Sequence, residues 1–143
     1  MNIIIGSDHA GFILKSECVL YMKRNDSLDV TDIGTNDKSS VDYPLFAHRV
    51  AKAVSIGEFE RGILICGSGI GMSIVANRHR GVRAALCHDI YMARMSRMHN
   101  DSNILTMGER VIGVGLALEI LEVFLNTPFE GGRHKKRVDQ IEL

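Results

Sequence analysis

The chain has 143 residues, 45% of them hydrophobic, enough for one compact domain with a full core. Seventeen basic residues against seventeen acidic ones leave no net charge, so no general electrostatic pull toward nucleic acid or an anionic membrane is indicated. The apolar start, Met1-Asn2-Ile3-Ile4-Ile5-Gly6, is too short for a secretion signal or a membrane span, and Cys18, Cys66 and Cys87 show neither a disulfide framework nor a zinc spacing; a cytoplasmic protein with three free thiols is expected.

In chain order, apolar β-rich runs alternate with stretches of helical periodicity. Residues 2–6 predict a first buried strand, and residues 12–24 a helix behind it. A second strand over 28–32 is followed by a helix over 43–55, and a third strand over 62–66 by a helix over 70–78. Strands over 82–86 and 103–107 alternate with helices over 89–98 and 113–125. After Thr127-Pro128 the run Glu130-Gly131-Gly132-Arg133 reopens the chain, and a basic C-terminal helix, about 133–143, has no strand after it. The alternation specifies an α/β fold with a parallel sheet and helices on both faces, because right-handed crossovers place them there.

Ligands of such sheets bind beyond the carboxyl ends of the strands, so each post-strand loop bears on chemistry. These loops are Ser7-Asp8-His9-Ala10-Gly11, Gly34-Thr35-Asn36-Asp37, Cys66-Gly67-Ser68-Gly69-Ile70-Gly71 and Cys87-His88-Asp89. The third is the most telling: glycines at 67, 69 and 71 permit a tight turn whose N–H groups can face an anion at a helix start. Its G-x-G-x-G spacing is neither the dinucleotide fingerprint nor a phosphate loop of nucleotide-binding enzymes, so no nucleotide cofactor is implied. The same N–H groups would favour the thiolate of Cys66, which makes it a candidate base or nucleophile; the competing reading is a small buried hydrophobe, and Cys18 and Cys87 are read that way. Met98-His99-Asn100-Asp101 reads as a segment outside the helical pattern just before the fifth strand. Arg133 and Arg137 fall four apart on one helical face, spaced either for a solvated surface or to grip a phosphate. His88-Asp89 is too sparse for a metal site, and His48 and His79 lie on predicted helices or their ends.

Five blocks, in order across nearly the whole chain, resemble the type B ribose-5-phosphate isomerases: Ser7-Asp8-His9-Ala10-Gly11, Ser40-Val41-Asp42-Tyr43-Pro44, Cys66-Gly67-Ser68-Gly69-Ile70-Gly71-Met72-Ser73, His99-Asn100-Asp101 and Phe129-Glu130-Gly131-Gly132-Arg133-His134. The resemblance implies a three-layer α/β/α domain over 1–143, with a five-stranded parallel Rossmann-like sheet in the order 2-1-3-5-4 and an extra C-terminal helix packing on a partner subunit. It implies an aldose–ketose isomerase that interconverts ribose 5-phosphate and ribulose 5-phosphate through an enediolate, with no cofactor and no metal. Cys66 would carry the proton between C1 and C2; a branch of the family that lacks this thiol uses a glutamate where this chain has Met72. His99 would open the furanose ring with help from Asp8, while His9, Arg133 and Arg137 would hold the phosphate. Asn100 and the amides of Gly67, Gly69, Ile70 and Gly71 would bind sugar oxygens, Tyr43 would line the pocket, and Arg110 matches a further ligand position. Ser68 stands where this branch commonly has threonine, keeping the hydroxyl for proton relay, and Leu45-Phe46 replaces more polar residues. The partners implied are a phosphosugar and a second copy, as a homodimer or a dimer of dimers, with the histidine and arginine blocks of one chain completing the cysteine loop of the other. Nucleic acid and membrane are not expected partners.

Three alternatives stay open. One is an isomerase of allose 6-phosphate or galactose 6-phosphate, since the family acts on both. Another is a non-catalytic sugar-phosphate-binding subunit, against which stands the presence of both Cys66 and His99. The third is a thiol hydrolase or phosphatase, against which stands Met72 where a C-x₅-R loop needs arginine.

Overall fold

The computed structural model describes residues 1–142. Its sheet has five parallel strands in the order β2-β1-β3-β5-β4: β1 (Asn2–Ser7), β2 (Asp29–Asp32), β3 (Arg61–Cys66), β4 (Ala84–Leu86) and β5 (Ile104–Gly108). The helices are α1 (Phe12–Met22), α2 (Tyr43–Ser55), α3 (Ile70–Ala76), α4 (Ile90–Asn100), α5 (Val114–Asn126) and α6 (Gly132–Val138). The expected three-layer architecture, strand order and extra C-terminal helix are all present. None of the helices among the described residues is long and apolar enough to cross a membrane.

Parallel central strands are buried on both faces, which is why β1, β3 and β5 read as near-continuous apolar runs. Alternate residues feed two cores. Ile3, Ile5, Ile63, Ile65, Leu105 and Met107 pack with residues of α1, α4 and α5, including Leu14, Ala93 and Phe124. Ile4, Leu64, Cys66 and Ile104 point the other way, into a second core with Val50 and Val54 of α2 and Met72 and Ala76 of α3. The thiol of interest thus ends a strand on the face covered by α2 and α3.

Two details set the carboxyl edge. Lys15 on α1 is 1% exposed, and its ammonium pairs with Asp32 at the end of β2. The other oxygen of Asp32 accepts from Gly34 N–H at 2.9 Å, and Gly34 C=O accepts from Ser7 N–H at 2.8 Å, so the pair steadies the turn beside β1. At the end of β5, Gly108 lies against the backbone of the loop after β3: a Cβ there would stand 2.6 Å from Ser68 C.

Element ends differ from the sequence expectations in informative ways. β4 starts at Ala84 and not 82, because Val82 N–H is used in a turn to His79 C=O and Arg83 N–H goes to the Asn103 side chain. The C-terminal helix stops at Val138. Most consequential, α4 runs through His99 and Asn100, so the expectation that these lie outside the helix is corrected: it closes only at Asp101, whose N–H returns to Arg97 C=O.

Gly108→Ala should lower stability by roughly 1–3 kcal/mol, because the methyl meets immovable backbone and not a flexible side chain. Urea unfolding checks this; an unchanged midpoint would show that the loop and β5 are not in such close apposition.

Candidate active site

Cys66 ends β3 at the floor of a cleft of about 490 Å³, lined also by Asp8, His9, Tyr43, Gly67, Ser68, Gly71 and Arg110. Its side chain is nearly covered, and Sγ accepts the N–H of Gly69 at 3.1 Å. Gly69 is required here twice over. It sits at φ +79°, and a Cβ would come within 2.5 Å of Leu86 Cδ1. Two amides of the loop are therefore already engaged, Gly69 by the sulfur and Ile70 by Ser68 Oγ at 3.3 Å. The Ile70 side chain is 52% exposed.

The strands on either side supply the other walls. Asp8 caps the short 3-10 turn His9–Gly11, its Oδ1 accepting from the N–H groups of Ala10 at 2.9 Å and Gly11 at 3.1 Å, which fixes the carboxylate. Gly11 lets that turn settle on β3, since a Cβ would stand 2.6 Å from the Ile65 carbonyl. His9 Nδ1 lies 3.2 Å from the N–H and 3.3 Å from the C=O of Val41, so the Val41 peptide fixes the ring and leaves Nε2 free of that contact. Beyond β5, Glu109 and Arg110 donate their N–H groups to Cys66 C=O and Gly67 C=O at 2.9 and 3.1 Å, which lays the Arg110 side chain over Gly67. The Tyr43 ring rests on Gly71, where a Cβ would approach it to 2.7 Å.

The remaining expected residues are elsewhere. His99, Asn100 and Arg137 line a second cleft of about 420 Å³ with His134, Val138 and Ile141. Arg133 lies beside it on α6, its Nε directed at His134 Nε2 at 3.5 Å. A larger cavity, about 750 Å³, adjoins this one, shares Asn100 and Ile141 with it and carries Arg78, Arg80 and Arg83. The separation follows from topology. Cys66 ends a strand, whereas His99 ends a helix that returns from the carboxyl edge to the amino edge. A sheet whose central strands β1, β3 and β5 run five or six residues places those edges roughly 15–20 Å apart, at about 3.3 Å per residue.

Sequence reasoning did not single out His134 or Glu130 for a role. The His99 and His134 rings stack at 4.1 Å and 7°, and His134 Nε2 meets Glu130 Oε2 at 3.2 Å. The only available signal was the four-residue spacing of Glu130 and His134 inside a recognised block. The donor atoms of His99, Glu130 and His134 lie within 4.8 Å of one another, the geometry in which a cation could be sought. Parallel rings, however, send their lone pairs alongside each other and not to a common point, and Arg133 and Arg137 add positive charge at His134. As it stands, the cluster is a hydrogen-bonded stack suited to an anion's neighbourhood.

Burial, then the charges of His99 and Arg133, hold the His134 imidazole below its usual pKa, with Glu130 pulling back. Burial pushes the Cys18 thiol up to about 12, with Glu17 adding to it. Cys87 is pushed up to about 11, again by burial first, with a hydrogen bond to Ser96 offsetting part of the rise. Neither is a competitor to Cys66 as a reactive thiol.

Residues 3–141 match the family model described as Ribose/Galactose Isomerase. The chain is 48% identical over 140 residues to ribose-5-phosphate isomerase B of Escherichia coli, covering 98% of this chain and 93% of that protein. The solved structure of Clostridium thermocellum ribose-5-phosphate isomerase B superposes with a TM-score of 0.96 at 54% identity, covering 99% of this chain and 95% of that one. A ribose 5-phosphate isomerase of Thermotoga maritima superposes at 0.95 with 48% identity, covering 99% and 97%.

Two measurements follow. Iodoacetamide at about pH 8 should label the native protein at Cys66 alone, read by peptide mass spectrometry, because only deprotonated, reachable thiols react; labelling of Cys18 or Cys87 without unfolding would contradict the assignment. As for pH, the unfolded chain takes up the His134 proton before the folded protein does. Stability present above the ordinary histidine range should therefore be lost as pH falls through it toward the lowered value. Melting between about pH 7 and pH 5 should show a shallower slope in His134→Gln than in the wild type.

Proposed function

The chain belongs to the ribose/galactose isomerase family, and on that premise we propose that it interconverts ribose 5-phosphate and ribulose 5-phosphate at a site built from the Cys66 cleft of one copy and the His99 cleft of a second. The observation that carries the proposal is the position of Cys66 at the cleft floor with the Gly69 N–H directed at its sulfur. An α-hydroxy aldehyde is a weak carbon acid, so its base must act beside donors that meet the oxyanion as it forms. Such donors are worth ~10²–10³ each in rate.

Each residue then has a role in an ordered sequence. His99 of one copy moves the protons that open the furanose, with Asp8 of the other copy assisting. Cys66 takes the proton from C2 of the open aldose and returns it to C1, through an enediolate. Ser68, Asn100 and the loop amides of Gly67 and Gly71 meet the sugar oxygens, and Tyr43 closes the side of the cleft. The phosphate is held between His9, whose ring is fixed by the Val41 peptide, and Arg133 and Arg137, with Arg110 alongside; their hold on this remote group orients the reacting carbons.

Two features support the second copy. Within one chain the clefts lie at opposite sheet edges, and Ile70 and Ile74, 52% and 53% exposed, leave α3 an uncovered apolar flank next to the cysteine loop. A two-fold pairing would bring unlike edges together twice, once for each site.

Purified protein should convert ribose 5-phosphate to ribulose 5-phosphate, and Cys66→Ala should lower the rate at least about 10²-fold. Turnover of allose 6-phosphate or galactose 6-phosphate alone would move the substrate assignment. Cys66→Ala and His99→Asn, each inactive, should recover about a quarter of wild-type activity when unfolded together and refolded in equal amounts, since half of the dimers then hold one intact site. No recovery would place both residues' work within one chain.

A further inference from the structure

Of the fourth recognised block, His99-Asn100-Asp101, the mechanism above uses only the first two residues. Asp101 is the one non-glycine residue with positive φ among the described residues, at φ 46° and ψ 44°, where glycine or asparagine would normally end a helix more cheaply. Its carboxylate explains its presence. Oδ1 accepts from Arg97 Nη1 at 2.9 Å and Oδ2 from Arg83 Nη2 at 3.2 Å. Both guanidiniums also hold the surrounding backbone. Arg83 Nε donates to Asn100 C=O at 3.1 Å and Asp101 C=O at 3.0 Å, while Arg97, 2% exposed, donates to Ser102 C=O at 2.6 Å and Thr127 C=O at 3.3 Å.

A third arginine makes the carboxylate's charge matter more. Arg61 has a buried Nε without a hydrogen-bond partner among the described residues. Burial, then Arg97, lowers its pKa, and Asp101 opposes that more than Glu60 does. One carboxylate thus pairs with two guanidiniums, and together with Glu60 it offsets the charge of a third, at the point where α4 ends.

We propose that Asp101 is a positioning residue for the isomerisation: by clamping Arg83 and Arg97 around the last turn of α4 it holds the His99 imidazole in the orientation that ring opening requires. Its oxygens are turned to the arginines, so it acts through them and does not touch the sugar. The proposal rests on the isomerase reading given above.

Substrate chemistry separates positioning from mere stability. In ribose 5-phosphate the C1–O4 bond must break, with O1–H losing a proton and O4 gaining one, before Cys66 can act. Ribulose 5-phosphate cannot form a furanose, because the hydroxyl it would use carries the phosphate. Its C1 proton can therefore exchange with solvent deuterium through the enediolate without any ring step. Asp101→Asn keeps the size and the tolerance of left-handed backbone but removes the charge. It should lower ribose 5-phosphate turnover about tenfold or more while leaving C1 exchange on ribulose 5-phosphate within about twofold of wild type. Arg83→Lys, which keeps the charge but loses the forked contacts, should show the same split to a smaller degree. Equal loss of both activities, or loss of neither, would overturn the positioning role. Wild-type protein that exchanges no deuterium would instead overturn the isomerase reading itself.

Discussion

An all-parallel sheet sends every strand's carboxyl end to one edge and every following helix's carboxyl end to the other. The rest of the molecule's chemistry is arranged by that constraint. The thiol, Asp8, His9 and Arg110 come from post-strand loops and share a cleft, whereas His99 and Asn100 end a helix and sit with Arg137 at the opposite edge. On the proposed mechanism neither cleft is complete by itself. One holds the thiol with its fixed donor, the other imidazole and guanidinium groups. A fold that segregates its functional groups in this way gains from pairing edge to edge, which is why the proposed site and the proposed assembly stand together.

At the carboxyl edge, backbone approach sets the geometry. The ladder pairs Cys66 with Gly108, and the absence of a side chain at 108 lets the Ser68 backbone lie directly on β5. Gly69 then turns left-handed, which aims its N–H back at the sulfur. Arg110 and the loop carbonyls complete the wall. The precision of the cleft comes from strands and their immediate turns, elements whose positions are held by two packed cores.

Much of this was legible in the sequence. Buried parallel strands announce themselves as short apolar runs, and all five predicted strands exist with small shifts at their ends. The cysteine loop, the Asp8–His9 turn and the two arginines four apart also stood out, because glycine spacing and helical periodicity are local signals. What stayed hidden depends on partners distant in the chain. The continuation of α4 through His99 was invisible because nothing nearby breaks the helix, and its true stop is an aspartate held by Arg83, eighteen positions earlier. The Val41 peptide fixing His9, and His134 stacking on His99, are contacts between segments more than thirty residues apart. Lys15 is the sharpest case: a lysine on a helix reads as solvated, yet here it is in the core.

The Lys15–Asp32 pair also constrains how this chain can change over evolutionary time. An ammonium almost wholly out of water tolerates its surroundings only while its carboxylate is present, and losing Asp32 alone leaves a buried charge that costs ~3–5 kcal/mol. That is a large share of the stability of a domain this size. Position 32 should therefore keep its carboxylate for as long as position 15 keeps its ammonium, and a change at 32 ahead of one at 15 would be purged. Because Asp32 also anchors the turn that bonds to Ser7, such a change would be felt one residue away from Asp8.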